Sequence, residues 1–414
     1  MNRFFSSTFI ALVVAGVVNA LPAREPQPLP GKWIVALKPE TASELDLHTR
    51  WVSDIHARSI ERRDDGSVGL EKKFDFPGFA GYSGSFSEET IEIIRANPNV
   101  SVSPSKVSQC GAYQYEQVTA VEPDREVVLA SLVEQENPPW GLSAISHANP
   151  PLSNASYIYD SSAGSGTFSY ILDSGLFAEH VDYEGRAAFA YDATGGAETD
   201  HGHGTHVAGI IGAATYGVAK KTSLIGVQVT GSTIGQSSWI LDGLTWTAND
   251  IAAKKRAGKA VINMSLSTTS SAIVNNAVQA VIDAGIPVVA AAGNSNSDTA
   301  DWSPANLPDA ITVAASNSNY RRWSASNWGS TVDLFAPGQA IPSTYVGSSS
   351  EVYTTSGTSM AAPYVAGVVA YLLQLEGAKT PAELKARVLG LAIKDVISDR
   401  KDVPDLLLYN GNGS

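Results

Sequence analysis

The apolar and polar positions fall into two textures that meet near Val133. Before it, charged residues break up short apolar stretches. Residues 32–38 (Lys-Trp-Ile-Val-Ala-Leu-Lys) read as a strand, 42–63 as an amphipathic helix and 74–86 as a hairpin. Residues 88–96 form a second helical pattern closed by Asn97-Pro98, and 119–123 a final strand. That order predicts a small α+β sandwich, ferredoxin-like, over about residues 31–124. Beyond Val133, Gly, Ser and Ala rise, and apolar strands alternate with helical stretches. Strands are expected at 168–172, 223–229, 260–265, 288–292 and 310–314, and helices at 204–213, 237–257, 271–284 and 359–376. Near-continuous apolar strands between helices predict an α/β fold with a mostly parallel sheet covered on both faces. Ligands in such folds sit at the carboxyl ends of the strands.

Composition narrows this picture. The 414 residues allow two domains, one with a large core. A net charge of −13 argues against a nucleic-acid backbone as partner. Residues 1–20 have the form of a secretory signal: Arg3, an apolar core over 9–18, and the small-residue site Val18-Asn19-Ala20. That core is short for a membrane span, so no membrane partner is expected. A Pro-rich spacer follows over 21–30. Cys110 is the only cysteine, so no intramolecular disulfide forms and stability rests on core size or bound ions. Asn99, Asn154 and Asn412 are candidate glycosylation sites, whereas the Asn263 sequon lies in an apolar strand.

Four positions carry candidate chemistry. Residues 356–374 run from Ser-Gly-Thr-Ser-Met-Ala-Ala-Pro-Tyr into an uncharged apolar stretch, which reads as a tight turn feeding a buried helix. Ser359 stands at the turn, with Pro363 expected in the first helical turn. Ser359 alone reads as an N-cap. Unpaired N–H groups and the positive end of the helix dipole also suit a nucleophile whose reaction builds negative charge. Asp173 ends an apolar strand, as a loop cap or a functional carboxylate. His201, His203 and His206 lie in Asp-His-Gly-His-Gly-Thr-His, where zinc is an alternative. No His-Glu-x-x-His motif or nearby cysteine supports zinc. Asn294 ends another strand, as a turn residue or an oxyanion donor. The order Asp, His, Ser is one of the convergent arrangements of triad chemistry.

Together, residues 171–175, 203–209, 263–266, 291–294, 335–338 and 357–363 resemble the subtilases, most closely the secreted fungal alkaline proteases of the proteinase K group. The resemblance covers about Trp140 to the C-terminus, and residues 31–123 resemble the inhibitor-type propeptide of these enzymes. It implies a subtilisin-like fold and a secreted serine endopeptidase made as an autoprocessed zymogen, with signal 1–20, propeptide 21–130 and peptidase domain 131–414. Ser359 would be the nucleophile, His203 the base, Asp173 its orienting acid, and Asn294 the oxyanion donor, with no cofactor for catalysis. His206 would be a buried structural histidine and His201 a surface one. A catalytically inactive, binding relative is the alternative, which the intact triad positions oppose.

The resemblance also implies that an extended peptide pairs with Ser265-Leu266-Ser267 and Gly235-Gln236-Ser237. Residues 265–268 and Ala291-Ala292-Gly293 would wall the specificity pocket. The family usually has Ser-Leu-Gly-Gly where this chain has Ser265-Leu266-Ser267-Thr268, which predicts a narrowed pocket. Structural calcium would be held by the Asp333 carboxylate and the Pro308 and Ala310 carbonyls. Residues 101–117 depart from the propeptide pattern and are expected to be a disordered loop. Partners would be protein or peptide substrates and the chain's own propeptide, the enzyme being a monomer.

Overall fold

A computed structural model describes residues 28–38, 43–60, 68–96, 118–125, 132–149, 155–196, 201–231 and 234–412. The signal, Asn99, Asn154, residues 101–117 and the expected cut at 130–131 lie outside them. The chain divides into two compact units, Met1–Leu129 and Ala130–Ser414.

The first unit runs β1 (Pro28–Leu37), α1 (Leu45–Ile60), β2 (Gly69–Phe76), β3 (Phe79–Ser85), α2 (Glu88–Ala96) and β4 (Val118–Arg125). Its sheet has the order β2-β3-β1-β4. Strand alternation sends Trp33, Val35 and Leu37 of β1 inward, against Val52 of α1 and Ile91 and Ile94 of α2. β2 begins five residues before the expected hairpin, because Glu71, Lys72 and Lys73 hide it from an apolar count. As an edge strand it pairs with β3 alone and is largely exposed, so few of its residues need be apolar.

The second unit opens with a hairpin, β5 (Leu132–Gln135) against β6 (Tyr157–Asp160), with the short helix α3 (Trp140–Ala144) between them. β7 (Phe168–Asp173), β8 (Ala187–Asp192), α4 (Gly202–Gly212), β9 (Ser223–Gln228) and α5 (Ser237–Ala253) follow. Next come β10 (Ala260–Met264), β11 (Thr268–Thr269), α6 (Ala272–Asp283), β12 (Val288–Ala291), β13 (Trp302–Ser303) and β14 (Ile311–Ser316). The chain ends with β15 (Leu334–Pro337), β16 (Ile341–Thr344), β17 (Val352–Thr355), α7 (Thr358–Glu376), α8 (Pro381–Leu391), β18 (Ile393–Lys394) and β19 (Leu406–Leu407).

Nine strands form one sheet in the order β18-β19-β15-β14-β12-β10-β7-β9-β8, parallel except for the β18–β19 pair. Ile171, Leu224, Val261 and Val289 pack on one face, with α4, α7 and α8. Tyr170, Ile225, Ile262 and Val288 pack on the other, with α5 and α6. A sheet covered on both faces needs apolar residues at successive positions, which is why these strands read as continuous apolar runs.

Helix α7 is the centre of the larger core, with Thr358 and residues 360–373 buried. By length and composition it is apolar enough to cross a bilayer, but it lies inside the fold. Pro363 falls in its second turn rather than the first. The bond it cannot donate would have gone to the carbonyl of Ser359, four residues back. Asn263 is fully buried. The Asn412 amide donates from Nδ2 to Tyr371 Oη (2.8 Å) and Asn410 O (3.5 Å), so a sugar on that nitrogen would displace existing contacts.

Candidate active site

The carboxyl end of β7 delivers Asp173, 2 % exposed. Its Oδ1 accepts from the Ser174 N–H (2.7 Å) and lies 2.7 Å from His203 Nδ1. With Nδ1–H donating to the carboxylate, the neutral ring keeps its lone pair on Nε2. His203 sits in the first turn of α4, which reaches the strand end because position 204 is glycine. A Cβ there would stand 2.0 Å from the Gly175 carbonyl oxygen.

Ser359 is the second residue of α7, where the N–H groups of the first turn lack intrahelical acceptors. Its Oγ donates to the Ser265 carbonyl (3.2 Å), while Ser265 Oγ donates to the Ser359 carbonyl (2.9 Å). That is the carbonyl Pro363 leaves open. Asn263 Nδ2 donates to Ser265 Oγ (2.9 Å), which fixes the pair from beneath.

Asn294 follows β12 at the cleft edge. Its Oδ1 accepts from the Thr358 N–H and the Thr358 hydroxyl, both at 2.9 Å. The oxygen is thereby committed, and Nδ2 is the donor edge of the amide. The Thr358 hydroxyl in turn accepts from the Gly293 N–H (2.9 Å). Gly293 has φ +101°, and a Cβ would lie 2.4 Å from Asn327 Nδ2. Thr358 therefore sets both the orientation of the Asn294 amide and the end of β12. The sequence reading gave it no role, although it stands inside the quoted stretch at 357–363.

Asp173, His203, Asn294 and Ser359 line one cleft of about 360 Å³. Gly235, Gln236 and Ser237 line it too, as do Ser265, Leu266, Ser267, Thr268, Ala291 and Gly293. Ala292 is the exception: it is fully buried in a core cluster away from the cleft. Strand alternation turns its side chain away from that of Ala291. Ile240 of α5 also reaches the cleft, a contact its helical periodicity presents simply as core.

The three histidines do not converge. His201, expected at the surface, is partly exposed and rests against the Phe189 ring (centroids 5.0 Å apart). His206 is buried, with Nε2–H donating to the Ile341 (3.1 Å) and Tyr353 (3.0 Å) carbonyls. Burial pushes its pKa down to about 4. Among the described residues no group of three or more His, Cys, Asp or Glu is placed to hold a metal.

The oxygens expected to hold calcium do converge, but on a side chain. Lys385 Nζ of α8 donates to Pro308 O (2.7 Å) and Ala310 O (2.8 Å) and lies 2.7 and 2.8 Å from the two Asp333 carboxylate oxygens. An ammonium and a calcium ion cannot share this position, so the residues present do not fit the ion. The expectation failed because Lys385 is more than fifty residues beyond Asp333 in sequence.

These features define a hydrolase site on a parallel α/β scaffold. Residues 164–412 match the subtilase family and residues 32–109 the peptidase inhibitor I9 family. The chain belongs to the subtilase family: it is a serine protease that carries an I9 propeptide domain. It is 46% identical to alkaline protease 1 of Aspergillus clavatus over 403 residues, 95% of each chain. It is 45% identical to the alkaline proteinase of Hapsidospora chrysogena, over 98% of each. A cold adapted subtilisin-like serine proteinase of known structure is 39% identical, with a TM-score of 0.62, covering 66% of this chain and 98% of that one.

Proposed function

We propose that Asp173, His203 and Ser359 form the catalytic triad of a secreted, self-activating endopeptidase. The Asp173–His203 contact, in a cleft shared with Ser359 and Asn294, carries this reading. Ser359 Oγ attacks the scissile carbonyl carbon and passes its proton to His203 Nε2. Asn294 Nδ2 and the Ser359 N–H receive the oxyanion. His203 then protonates the leaving amine, and water repeats the sequence on the acyl-enzyme. Substrate lies extended between residues 235–237 and 265–267. Residues 1–20 direct secretion, 21–130 act as inhibitor and folding template, and the enzyme cuts itself near Ala130-Ser131.

The test compares the mass of the purified secreted protein with its peptide hydrolysis. Wild type is expected to lose residues 1–130 and cleave peptides, while Ser359→Ala and His203→Ala stay unprocessed and fall by about 10⁶ in turnover. Asn294→Ala keeps a measurable remainder, down about 10²–10³. Both magnitudes are transferred from subtilisin, a member of the same family. Ser359→Ala retaining more than a few per cent of turnover would sink the assignment. Processing without activity in wild type and variant alike would mean that another protease makes the cut.

A further inference from the structure

The Lys385 ammonium sits in a cage built for a cation. Its three N–H donors face two backbone carbonyls and one carboxylate, all at 2.7–2.8 Å. The cage is held by β14, independently of the lysine. The Thr312 N–H donates to Asp333 Oδ2 (2.8 Å), and the Asp333 N–H donates to the Thr312 carbonyl (2.9 Å). The two side chains are 19% (Lys385) and 15% (Asp333) exposed, so one side of the cage stays open to water. Burial pushes the Asp333 carboxyl above its ordinary value, and the charge of Lys385 opposes that shift.

We propose that Lys385 is a tethered cation that replaces a divalent ion in this cage, and that removing its ammonium turns the four oxygens into a calcium site. The geometry needs little change. Calcium takes oxygens at about 2.3–2.6 Å, so each oxygen moves inward by a few tenths of an ångström. Water on the open side completes the six to eight ligands. The tether also does what no free ion can: it ties α8, near the C-terminus, to the loop before β14 and to Asp333, just before β15. A calcium ion bound in place of the ammonium restores the charge balance but not that tie. This inference does not depend on how the catalytic residues are assigned.

The test uses the processed enzyme, inactivated with phenylmethylsulfonyl fluoride to prevent autolysis, and calcium chloride as the probe. In chelator, Lys385→Ala is expected to melt about 5–10 °C below wild type. Millimolar calcium recovers part of that loss and raises the variant more than it raises wild type. Calorimetric titration finds one more calcium in Lys385→Ala than in wild type, with Kd roughly 10⁻⁴–10⁻³ M, and the extra site vanishes when Asp333→Asn is added. Lys385→Met, which keeps the apolar stem, gains the same site and stands in should the alanine variant not fold. Equal calcium counts in wild type and both lysine variants overturn the proposal. So does Asp333→Asn alone losing a calcium that wild type binds, since the ion would then share the cage with the lysine.

Discussion

Ser267 and Thr268 stand where the proposed specificity pocket would be narrowed. Ser267 is exposed and Thr268 half-buried, and both line the cleft. Thr268 cannot readily withdraw, because it pairs with Ser303 in the two-residue β11–β13 ladder. In a pocket of fixed walls, each added methyl-sized group discriminates by about 1–3 kcal/mol, or roughly 10–200-fold. Peptides varying only at P1 are therefore expected to be cleaved better with Ala or Leu than with Phe. Thr268→Gly should move the Phe-to-Ala ratio of kcat/KM toward Phe by about tenfold. A wild-type preference of a hundredfold for Phe over Ala would refute the narrowed pocket. The departure at these positions could be read from sequence because the comparison is local, residue against residue. Thr358 could not, since its role depends on Gly293 and Asn294, which reach it only through the fold.

His206 joins helix α4 to both strands of the β16–β17 hairpin, where Ser343 and Thr344 of β16 also donate to carbonyls of the helix. His206 donates from Nε2 to a carbonyl of each strand, while its Nδ1 is buried without a partner. A proton on Nδ1 would find no acceptor, and burial holds the pKa near 4 against about 6.5 when unfolded. The sign follows: between these values the unfolded chain binds a proton that the folded chain refuses. The stability from neutral His206 is thus complete above about pH 6.5 and is lost as pH falls toward 4, by about 3 kcal/mol. Guanidinium unfolding of inactivated enzyme at pH 7, 5.5 and 4.5 should show this fall, with a shallower slope in His206→Gln. Identical slopes would contradict it. Elements with strong periodicity, such as α5, α6 and the central strands, lie within a few residues of where the apolar pattern puts them. β8 was not expected, because it is an edge strand whose residues 188–190 are largely exposed. α8 was missed even though Thr380 and Glu383 form a complete capping box behind Pro381. With it went Lys385, and so the ammonium among the Asp333, Pro308 and Ala310 oxygens.

The larger unit brings together strands that are far apart in the chain. β7 lies between β9 and β10, and Phe335 of β15 pairs with Leu407 of β19. The core around α7 is complete only with the strands of residues 168–337 in place, because that helix packs on several of them. Loops must close before such contacts contribute, so folding should be slow, and no disulfide is present to shorten them. The first unit has its own four-stranded sheet and its own core. That is what the proposed template role requires: a unit that can fold on its own and then, by binding, stabilise an incomplete sheet that alone would rarely persist. Inactivated enzyme spanning 131–414, unfolded in guanidinium and diluted, is expected to regain its native tryptophan fluorescence slowly and incompletely. Adding a separate 21–130 segment should accelerate recovery by at least about tenfold, equivalent to about 1.4 kcal/mol at the barrier. Recovery at the same rate with and without the segment would leave the propeptide with an inhibitory role alone. The sheet would then reach its long-range pairings without a template.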